Sequence, residues 1–170
     1  MKHFSESYFV YNGIGIIHTP YKEKAPYQPV RDDVSGLFYI RLYDKYVDGL
    51  KLLDTFKYIY VLYALDRIHI RKNNLIIHPP WANEYSVGIF ASRSPNRPNP
   101  IGLSIVQIKK IKGNIIEISG IDAFDGTPVL DIKPYLKDLD AKLDANYGWA
   151  EPADDESHLL LHIKGIPHNF

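Results

Sequence analysis

A short proline-rich segment, residues 92–100, carries the side chains of this sequence that are best suited to binding chemistry. It holds two arginines, Arg93 and Arg97, and two asparagines, and three of its nine residues are proline. Each proline fixes its own φ angle and holds the preceding residue extended, so the segment is stiff before any contact forms. A guanidinium group suits carboxylates and phosphates, because its planar fork donates parallel hydrogen bonds. The segment therefore predicts an anion-binding loop; the alternative is a proline-rich turn whose arginines are only solvated.

A second polar loop, further along the chain, supplies groups of the opposite charge. Asp122 and Asp125 stand in it beside the Gly126 backbone, and Asp131 and Lys133 follow. Carboxylates and carbonyl dipoles attract a cation, so a ligand with a carboxylate at one end and a positive centre elsewhere would use both loops. The alternative is an ordinary Asp-Gly turn in which Asp125 bonds its own backbone.

Several familiar kinds of site are missing from the sequence. Gly13 and Gly15 lack the third glycine of a dinucleotide fingerprint, and neither a Walker-type phosphate loop nor a hydrolase nucleophile elbow is present. His18, His69 and His78 share no metal-ligand spacing, so we predict no metal site. The absence of cysteine excludes disulfides, thiolate nucleophiles and cysteine zinc sites, and it favours a reducing compartment such as the cytoplasm.

The segments around the two loops have the apolar patterns of short strands. About seven strands at short spacing, with one helix, favour a mainly β fold. A closed or nearly closed β-barrel with an inserted helix fits best, because closure removes exposed sheet edges. The strand-like segments are residues 8–18, 36–42, 58–65, 68–77, 87–91, 101–111, 115–121 and 129–133, with a further strand considered at 158–163.

One helix is predicted after the second strand. Tyr46, Leu50 and Leu53 would share one helical face, and Asp44 stands where it would cap the first turn. Gly49 disfavours a helix at this place. We expect this helix to be the element inserted into the barrel.

The bulk composition fits an ordinary soluble globular protein. The chain has 170 residues, and its 20 basic and 20 acidic residues cancel to a formal net charge of zero. No overall field attracts nucleic acid or membrane, so any basic site must be local. The N-terminus lacks the apolar core of a secretory signal, and no apolar run is long enough to span a bilayer. Acidic residues gather beyond the last predicted barrel strand, so we divide the chain into a barrel domain, residues 1–136, and a C-terminal arm, residues 137–170.

Three stretches of the sequence resemble the signatures of the TrmO (YaeB-like) family of tRNA methyltransferases. They are residues 15–24, 87–104 and 125–135, in the order typical of the family, and the resemblance covers residues 11–135. The resemblance implies a single-sheeted β-barrel, S-adenosylmethionine (SAM) as methyl donor, and a homodimer. The implied substrate is threonylcarbamoyladenosine beside the tRNA anticodon, methylated on its exocyclic nitrogen.

The resemblance also implies which residues bind the cofactor and the substrate. Arg93 and Lys133 are assigned to the substrate, where Arg93 would meet RNA phosphate or the threonyl carboxylate. The residues implied for the cofactor are Pro29, Val30, Arg31, Asp66, Arg67, Arg97, Ile105, Ala123, Phe124, Asp125 and Gly126.

Further residues are candidates for contact with the single-stranded anticodon loop. Tyr27 and Trp81 would stack on unpaired bases; the alternative is that both are packing residues. Lys109, Lys110 and Lys112 form a local basic patch that would hold the RNA backbone, unless they are only a solvated strand face.

Methyl transfer is an in-line displacement, so the main task of such a site is to align nitrogen, methyl carbon and sulfur. An acylated exocyclic nitrogen is a poor nucleophile until its proton moves, and an Asp or a Tyr would assist. The sequence does not choose between them. Two other functions stay open: a non-catalytic SAM- or RNA-binding module on the same barrel, and a methyltransferase for another substrate.

Overall fold

The computed structural model of the chain describes residues 9–26, 37–67, 75–79 and 85–150. The described part is mainly β, as predicted, and its helices are short. The strands are β1 (Gly15–His18), β2 (Tyr39–Leu42), β3 (Tyr58–Ala64), β4 (Ile76–Ile77), β5 (Val87–Gly88), β6 (Ile101–Lys112), β7 (Ile115–Ile118) and β8 (Pro128–Pro134). The helices are α1 (Lys137–Asp140) and four 3₁₀ helices, Asp44–Leu50, Leu53–Thr55, Ile89–Ala91 and Gly148–Ala150.

Six of the described strands form a closed barrel in the order β1-β2-β7-β6-β3-β8, and each neighbouring pair is antiparallel. Gly15 of β1 pairs with Leu42 of β2 on one side and with Val129 of β8 on the other, which closes the circuit. Closure leaves no free edge on these strands. β4 and β5 form a separate two-stranded sheet, so among the described residues the barrel has six strands where about seven were expected.

The barrel interior is filled mainly by β-branched side chains. They alternate with outward residues along each strand, and each fully buried one stabilises the fold by about 1.5–3 kcal/mol. The most deeply buried side chains are Ile17, Phe38, Ile40, Ile59, Val61, Val106, Ile116, Ile118, Ile121 and Val129. This rigid core fixes where each strand ends, and hence where the loops begin.

The predicted helix after β2 is wrong in type. The segment consists of two 3₁₀ helices, Asp44–Leu50 and Leu53–Thr55, separated at Leu52, whose φ is +68°. No side chain caps the first helix, and Asp44 instead accepts a hydrogen bond from Asn114 Nδ2 at 3.1 Å. None of the residues in either helix is fully buried, and Leu50 and Leu53 pack only partly against the core, so packing gives little reward for a longer α-helix.

Three connections leave the barrel at the same end, because neighbouring strands are antiparallel. These are residues 19–38 between β1 and β2, residues 65–100 between β3 and β6, and residues 119–127 between β7 and β8. We call this the upper end; the opposite end carries residues 43–57 and the turn at 113–114. Each of the three sequence signatures contributes to the upper end, so the fold gathers them there.

The chain after β8 returns along the barrel. The Tyr135 ring lies 5.5 Å from the Tyr60 ring on the barrel wall. Further on, Trp149 Nε1 donates a 2.8 Å hydrogen bond to the Ala91 carbonyl, and its ring lies 5.4 Å from that of Tyr85. Within the described residues, no helix has the length and apolar character needed to cross a membrane.

Candidate cofactor and substrate site

Arg67 joins two of the connections at the upper end. It follows β3, and its Nη1 donates a 2.6 Å hydrogen bond to the Lys22 carbonyl while Nη2 donates to the Asp125 carbonyl. Its guanidinium carbon lies 5.0 Å from the centre of the Phe124 ring. Gly126, with φ of +88°, passes close beside the same guanidinium. The structure therefore brings together four residues that the resemblance implied for the cofactor.

The Asp125 carboxylate ties this loop to the end of β1. Its Oδ1 lies 3.2 Å from His18 Nδ1 and accepts a hydrogen bond from the Thr19 backbone N–H at 3.3 Å. The His18 ring stacks on Tyr39 of β2 at 4.6 Å, and the Asp125 N–H donates to the Tyr21 carbonyl at 2.8 Å. Asp125 therefore bonds across the barrel end rather than to its own backbone. Sequence reasoning considered His18 only as a metal ligand and missed this contact.

Ala123 has a different position from its neighbours in the loop. Its side chain is buried against the core, and its carbonyl accepts a 3.0 Å hydrogen bond from Thr19 Oγ1. Thr127 closes the loop by donating its N–H to the Phe124 carbonyl at 3.2 Å. Ala123 thus anchors the loop, and Phe124 and Asp125 after it are partly exposed.

Arg97 organises the proline-rich segment from within. Its Nη1 donates hydrogen bonds to three backbone carbonyls, those of Ile89 at 3.2 Å, Ser92 at 2.7 Å and Ser94 at 3.3 Å. Its guanidinium carbon lies 6.0 Å from the Phe90 ring centre. The segment 87–91, predicted as one strand, becomes a 3₁₀ helix after Gly88, which turns the Ile89 carbonyl toward Arg97. Arg97 shapes the loop, and no described residue bonds its Nη2.

A buried polar cluster lies inside the barrel below these loops. Tyr63 and Ser104 point inward and are only 4% and 6% exposed. Both hydroxyls donate to Asp122 Oδ1 at 3.2 Å, and they lie 3.1 Å from each other. The Tyr63 ring fits because the residue opposite it is Gly102, where a Cβ would lie 2.2 Å from the ring. Sequence reasoning named Asp122 but not the two hydroxyls that hold it.

Burial and neighbouring groups shift the pKa values of Asp122 and Tyr63 in this cluster. Burial raises the pKa of Asp122 above its usual value, while its own backbone, the two hydroxyls and the charge of Arg93 oppose that rise. Burial, followed by the Asp122 charge, raises the pKa of Tyr63 far above its usual value. The topology places the proline-rich segment and the second polar loop at the same end of the barrel, and the effect of the exposed Arg93 on Asp122 agrees with that placement.

Two implied site residues lie elsewhere in the chain. Ile105 and Lys133 flank Tyr60 on the outer barrel wall, one from β6 and the other from β8. Tyr60 stands four residues below Ala64, about 13 Å from the upper end at ~3.3 Å per residue. Lys133 forms an exposed 2.7 Å ion pair with Asp131. Within one chain, Ile105 and Lys133 therefore lie away from Arg67, Arg97 and the β7–β8 connection at the upper end.

The remaining implied residues divide between exposed positions and undescribed ones. Asp66 is exposed in the turn beside Arg67. The basic patch formed by Lys109, Lys110 and Lys112 lies on the half of β6 far from the upper end. Among the described residues, no group of His, Asp and Glu side chains is placed to hold a metal ion. Residues outside the described ranges are Pro29, Val30, Arg31, Tyr27, His69, Trp81 and the strand considered at 158–163.

Comparison with known proteins gives consistent matches. A family model described as the tRNA-methyltransferase O N-terminal domain matches residues 16–141. The chain is 41% identical over 158 residues to a probable S-adenosyl-L-methionine-binding protein of Archaeoglobus fulgidus, covering 89% of this chain and 41% of that protein. It is 35% identical over 156 residues to the tRNA (adenine(37)-N6)-methyltransferase of Escherichia coli, covering 86% of this chain and 66% of that protein.

A solved structure matches as well. The crystal structure of TrmO from Pseudomonas aeruginosa superposes with a TM-score of 0.68 at 30% identity, covering 86% of this chain and 64% of that one. The chain thus spans between 41% and 66% of the length of these three proteins.

Proposed function

The chain belongs to the tRNA-methyltransferase O family, whose N-terminal-domain model matches residues 16–141, and we propose that it is a SAM-dependent tRNA methyltransferase. The proposed reaction methylates the exocyclic nitrogen of the adenosine beside the anticodon, in its threonylcarbamoylated form. The names of the Archaeoglobus and Escherichia relatives, a SAM-binding protein and a tRNA methyltransferase, support SAM as cofactor and tRNA as substrate. The observation that carries the proposal is the convergence of three connections at the upper end, where Arg67 bridges the Lys22 and Asp125 carbonyls and Arg97 braces the proline-rich segment.

The charges at the upper end suit the two charged groups of SAM. SAM supplies a methyl group on a positively charged sulfur and carries a carboxylate at its amino-acid end. Arg67 and Arg97, whose Nη2 bonds no described residue, offer donors for an anion, while the carboxylates of Asp122 and Asp125 offset a nearby positive charge. We propose that Arg67, Arg97 and the loop from Phe124 to Gly126 hold the cofactor, together with Asp66 and residues 29–31.

Arg93 and Lys133 are proposed to bind the tRNA. Arg93 is exposed above Asp122, and a guanidinium there suits an RNA phosphate or a threonyl carboxylate. The chain has a formal net charge of zero, so affinity for RNA must come from such local positions. We place the reaction in the cytoplasm, and the absence of cysteine is compatible with its reducing conditions.

A homodimer would bring the outlying residues to the site. The outward face of β6 exposes three apolar side chains in alternation, Ile101, Leu103 and Ile105, at 40%, 56% and 48%. A contiguous exposed apolar strip on a barrel wall favours an interface. We propose that this wall packs on a second subunit, so that Ile105 and Lys133 of one chain approach the upper end of the other. We also propose that residues 1–136 form the barrel domain and residues 137–170 a separate arm.

Substituting Leu103→Asp should convert the proposed dimer to a monomer, because a carboxylate buried at an apolar interface has no partner. Light scattering coupled to size exclusion gives the mass directly. Leu143→Asp is the matched control, since Leu143 is fully exposed outside this strip and its variant should keep the wild-type mass. A wild-type monomer, or a Leu103→Asp dimer, would contradict the proposed interface.

Substituting Arg97→Ala should weaken SAM binding about tenfold, which corresponds to ~1.4 kcal/mol. The loss has a structural cause, because three carbonyls of the segment lose their shared donor. Calorimetry measures the affinity, and amide exchange over residues 89–97 should become faster. The control is Lys51→Ala at the opposite barrel end, and equal affinity for Arg97→Ala and wild type would remove Arg97 from the site.

The proposed activity is tested by mass spectrometry of nucleosides from tRNA incubated with the protein and SAM. Methylated threonylcarbamoyladenosine is the expected product, and tRNA lacking the threonylcarbamoyl group is the comparison substrate. SAM binding without methylation of either tRNA would favour a non-catalytic binding module. Methylation of a protein or small molecule, with none of tRNA, would favour another substrate.

A further inference from the structure

Asp122 lies where the interior of the barrel meets the proposed site. It stands in the β7–β8 connection, directly before the loop of Ala123 to Gly126. Its side chain turns to the buried hydroxyls of Tyr63 and Ser104, although the residue keeps partial access to solvent. A carboxylate in this position costs stability, because burial disfavours the charged form. Because this burial lowers stability, the presence of the Asp122 carboxylate at the edge of the proposed site suggests that it has a functional role.

The hydrogen bonds of Asp122 distinguish its two oxygens. Both hydroxyls donate to Oδ1, at 3.2 Å each. Within the described ranges, no residue other than Asp122 itself, whose own backbone N–H hydrogen-bonds the carboxylate, donates to Oδ2. One oxygen thus fixes the orientation of the carboxylate, and the second is left to accept a proton.

Two charged or titratable groups face Asp122 from neighbouring elements. Tyr63 faces it from β3, and Arg93 faces it from the segment before β6, while Ser104 of β6 is uncharged. The pKa of Tyr63 is raised by burial, so its phenol keeps its proton and acts as a donor. Arg93 attracts the ionised form of Asp122, which keeps the carboxylate available at the rim.

We propose that Asp122 accepts the proton that the substrate's exocyclic nitrogen loses during methylation. This inference rests on the proposed function. The nitrogen forms a bond to the methyl carbon while the bond between that carbon and sulfur breaks, and the bonding electron pair stays on sulfur. The N–H bond breaks, its electron pair stays on nitrogen, and its proton passes to Oδ2 of Asp122. Ser104 and Tyr63 are positioning residues, since they hold Oδ1 and do not reach the substrate.

Other carboxylates of the upper end fit this role less well. Asp125 Oδ1 is engaged by His18 and by the Thr19 N–H, which direct it toward β1. Asp66 is exposed, so solvent competes for any proton it would take. Asp122 alone among these three is braced by two buried hydroxyls and faces Arg93.

The first test is Asp122→Asn, which keeps the size of the side chain and an oxygen for both hydroxyls. Single-turnover methylation of threonylcarbamoylated tRNA should be about 100-fold slower, the usual contribution of a proton acceptor. The SAM affinity measured by calorimetry should stay within about twofold of wild type, a difference below ~0.5 kcal/mol. Asp54→Asn, an exposed carboxylate at the opposite barrel end, is the matched control and should keep the wild-type rate.

The pH dependence separates proton transfer from a purely structural role. The wild-type rate should rise with pH through the raised pKa of Asp122 and then level off, and Asp122→Asn should lose that rise. Tyr63→Phe and Ser104→Ala each remove a donor that favours the ionised carboxylate, so each should move the midpoint of the rise to higher pH.

Stability gives a second, independent readout. The folded-state pKa of Asp122 is raised above its unfolded value, so its stabilising contribution is full below the unfolded pKa and is lost as pH rises through the folded pKa. Above that range Asp122→Asn should have a melting temperature equal to or higher than wild type. A rate loss together with retained stability supports the proton-acceptor role.

The outcomes distinguish the two proposals. If wild-type protein binds no SAM and methylates no tRNA, the proposed function fails. If wild type is active and Asp122→Asn keeps its rate and pH profile, this inference fails and the proposed function stands. An increase in KM for tRNA with unchanged kcat would also overturn it, because Asp122 would then serve binding alone. Should Asp122→Asn not fold, unchanged pH midpoints in Tyr63→Phe and Ser104→Ala would overturn it.

Discussion

Replacing Gly15 with alanine is expected to lower the free energy of unfolding by about 3 kcal/mol, the upper part of the range for overpacking. A Cβ at this position would lie 2.5 Å from the Arg41 carbonyl oxygen and 2.9 Å from the Leu42 Cα. Both are backbone atoms of β2, so no side-chain rotation relieves the clash. Gly15 also pairs with Val129 of β8, so β1 has no free side toward which it can shift. Urea denaturation followed by circular dichroism measures the change.

Gly49→Ala is the matched control for that variant. A Cβ at Gly49 meets no atom within 4 Å, and the residue lies in a 3₁₀ helix outside the barrel strands. Its free energy of unfolding should change by less than about 1 kcal/mol, in the stabilising direction. Equal stability of Gly15→Ala and Gly49→Ala would show that β1 and β2 separate without cost. The close approach at Gly15 would then not be needed to close the barrel.

Much of the barrel was predictable because its strands have strong local patterns. The strand β3 differs by one residue from the predicted 58–65, and the hairpin of β6 and β7 turns at Gly113, where φ is +58°. In these segments the alternation of apolar residues and the residues typical of turns predict the same strand boundaries. The resemblance of three signatures to one family also pointed to the correct family.

Elements without such agreement were predicted less well. The first strand was expected over 8–18, but β1 is confined to Gly15–His18, where all four residues pair with β2 and the first two also pair with β8. The apolar run at 87–91 leaves the extended form after Gly88, and Phe90 is exposed. An apolar pattern predicts that a segment is buried, but strand pairing in the barrel determines which of its residues are actually covered.

The site shows the same limit at the level of side chains. Through the resemblance, the sequence predicted Arg67, Arg97 and Asp125 as site residues, but it did not predict what they touch. His18 and Asp125 are 107 positions apart, and Tyr63 and Asp122 are 59 apart. Such pairs depend on strand order and register, which no local pattern contains. The contacts of His18 in β1 and Tyr63 in β3 could therefore be seen only in the folded barrel, where both residues bond the β7–β8 connection.

Substituting Arg67→Ala is expected to weaken SAM binding about 100-fold. Two hydrogen bonds from one guanidinium hold the Lys22 and Asp125 carbonyls together, and the same group covers the Phe124 ring. Arg67 is exposed, so each charge-assisted bond is taken at the low end of its range, ~1.5 kcal/mol, and two such bonds correspond to about 100-fold in affinity. Calorimetry measures the affinity, and circular dichroism should show an unchanged barrel.

Arg67→Lys tests whether the fork or the charge matters. A lysine keeps the positive charge, but it is a compact point charge without a rigid fork that spans two carbonyls. If bridging the β1–β2 and β7–β8 connections is what organises the site, Arg67→Lys should lose nearly as much affinity as Arg67→Ala. Full affinity in the lysine variant would mean that Arg67 acts through its charge on the cofactor, and the loops would then meet without a bridge. Lys51→Ala, at the opposite end of the barrel, removes one positive charge and should bind SAM as wild type does.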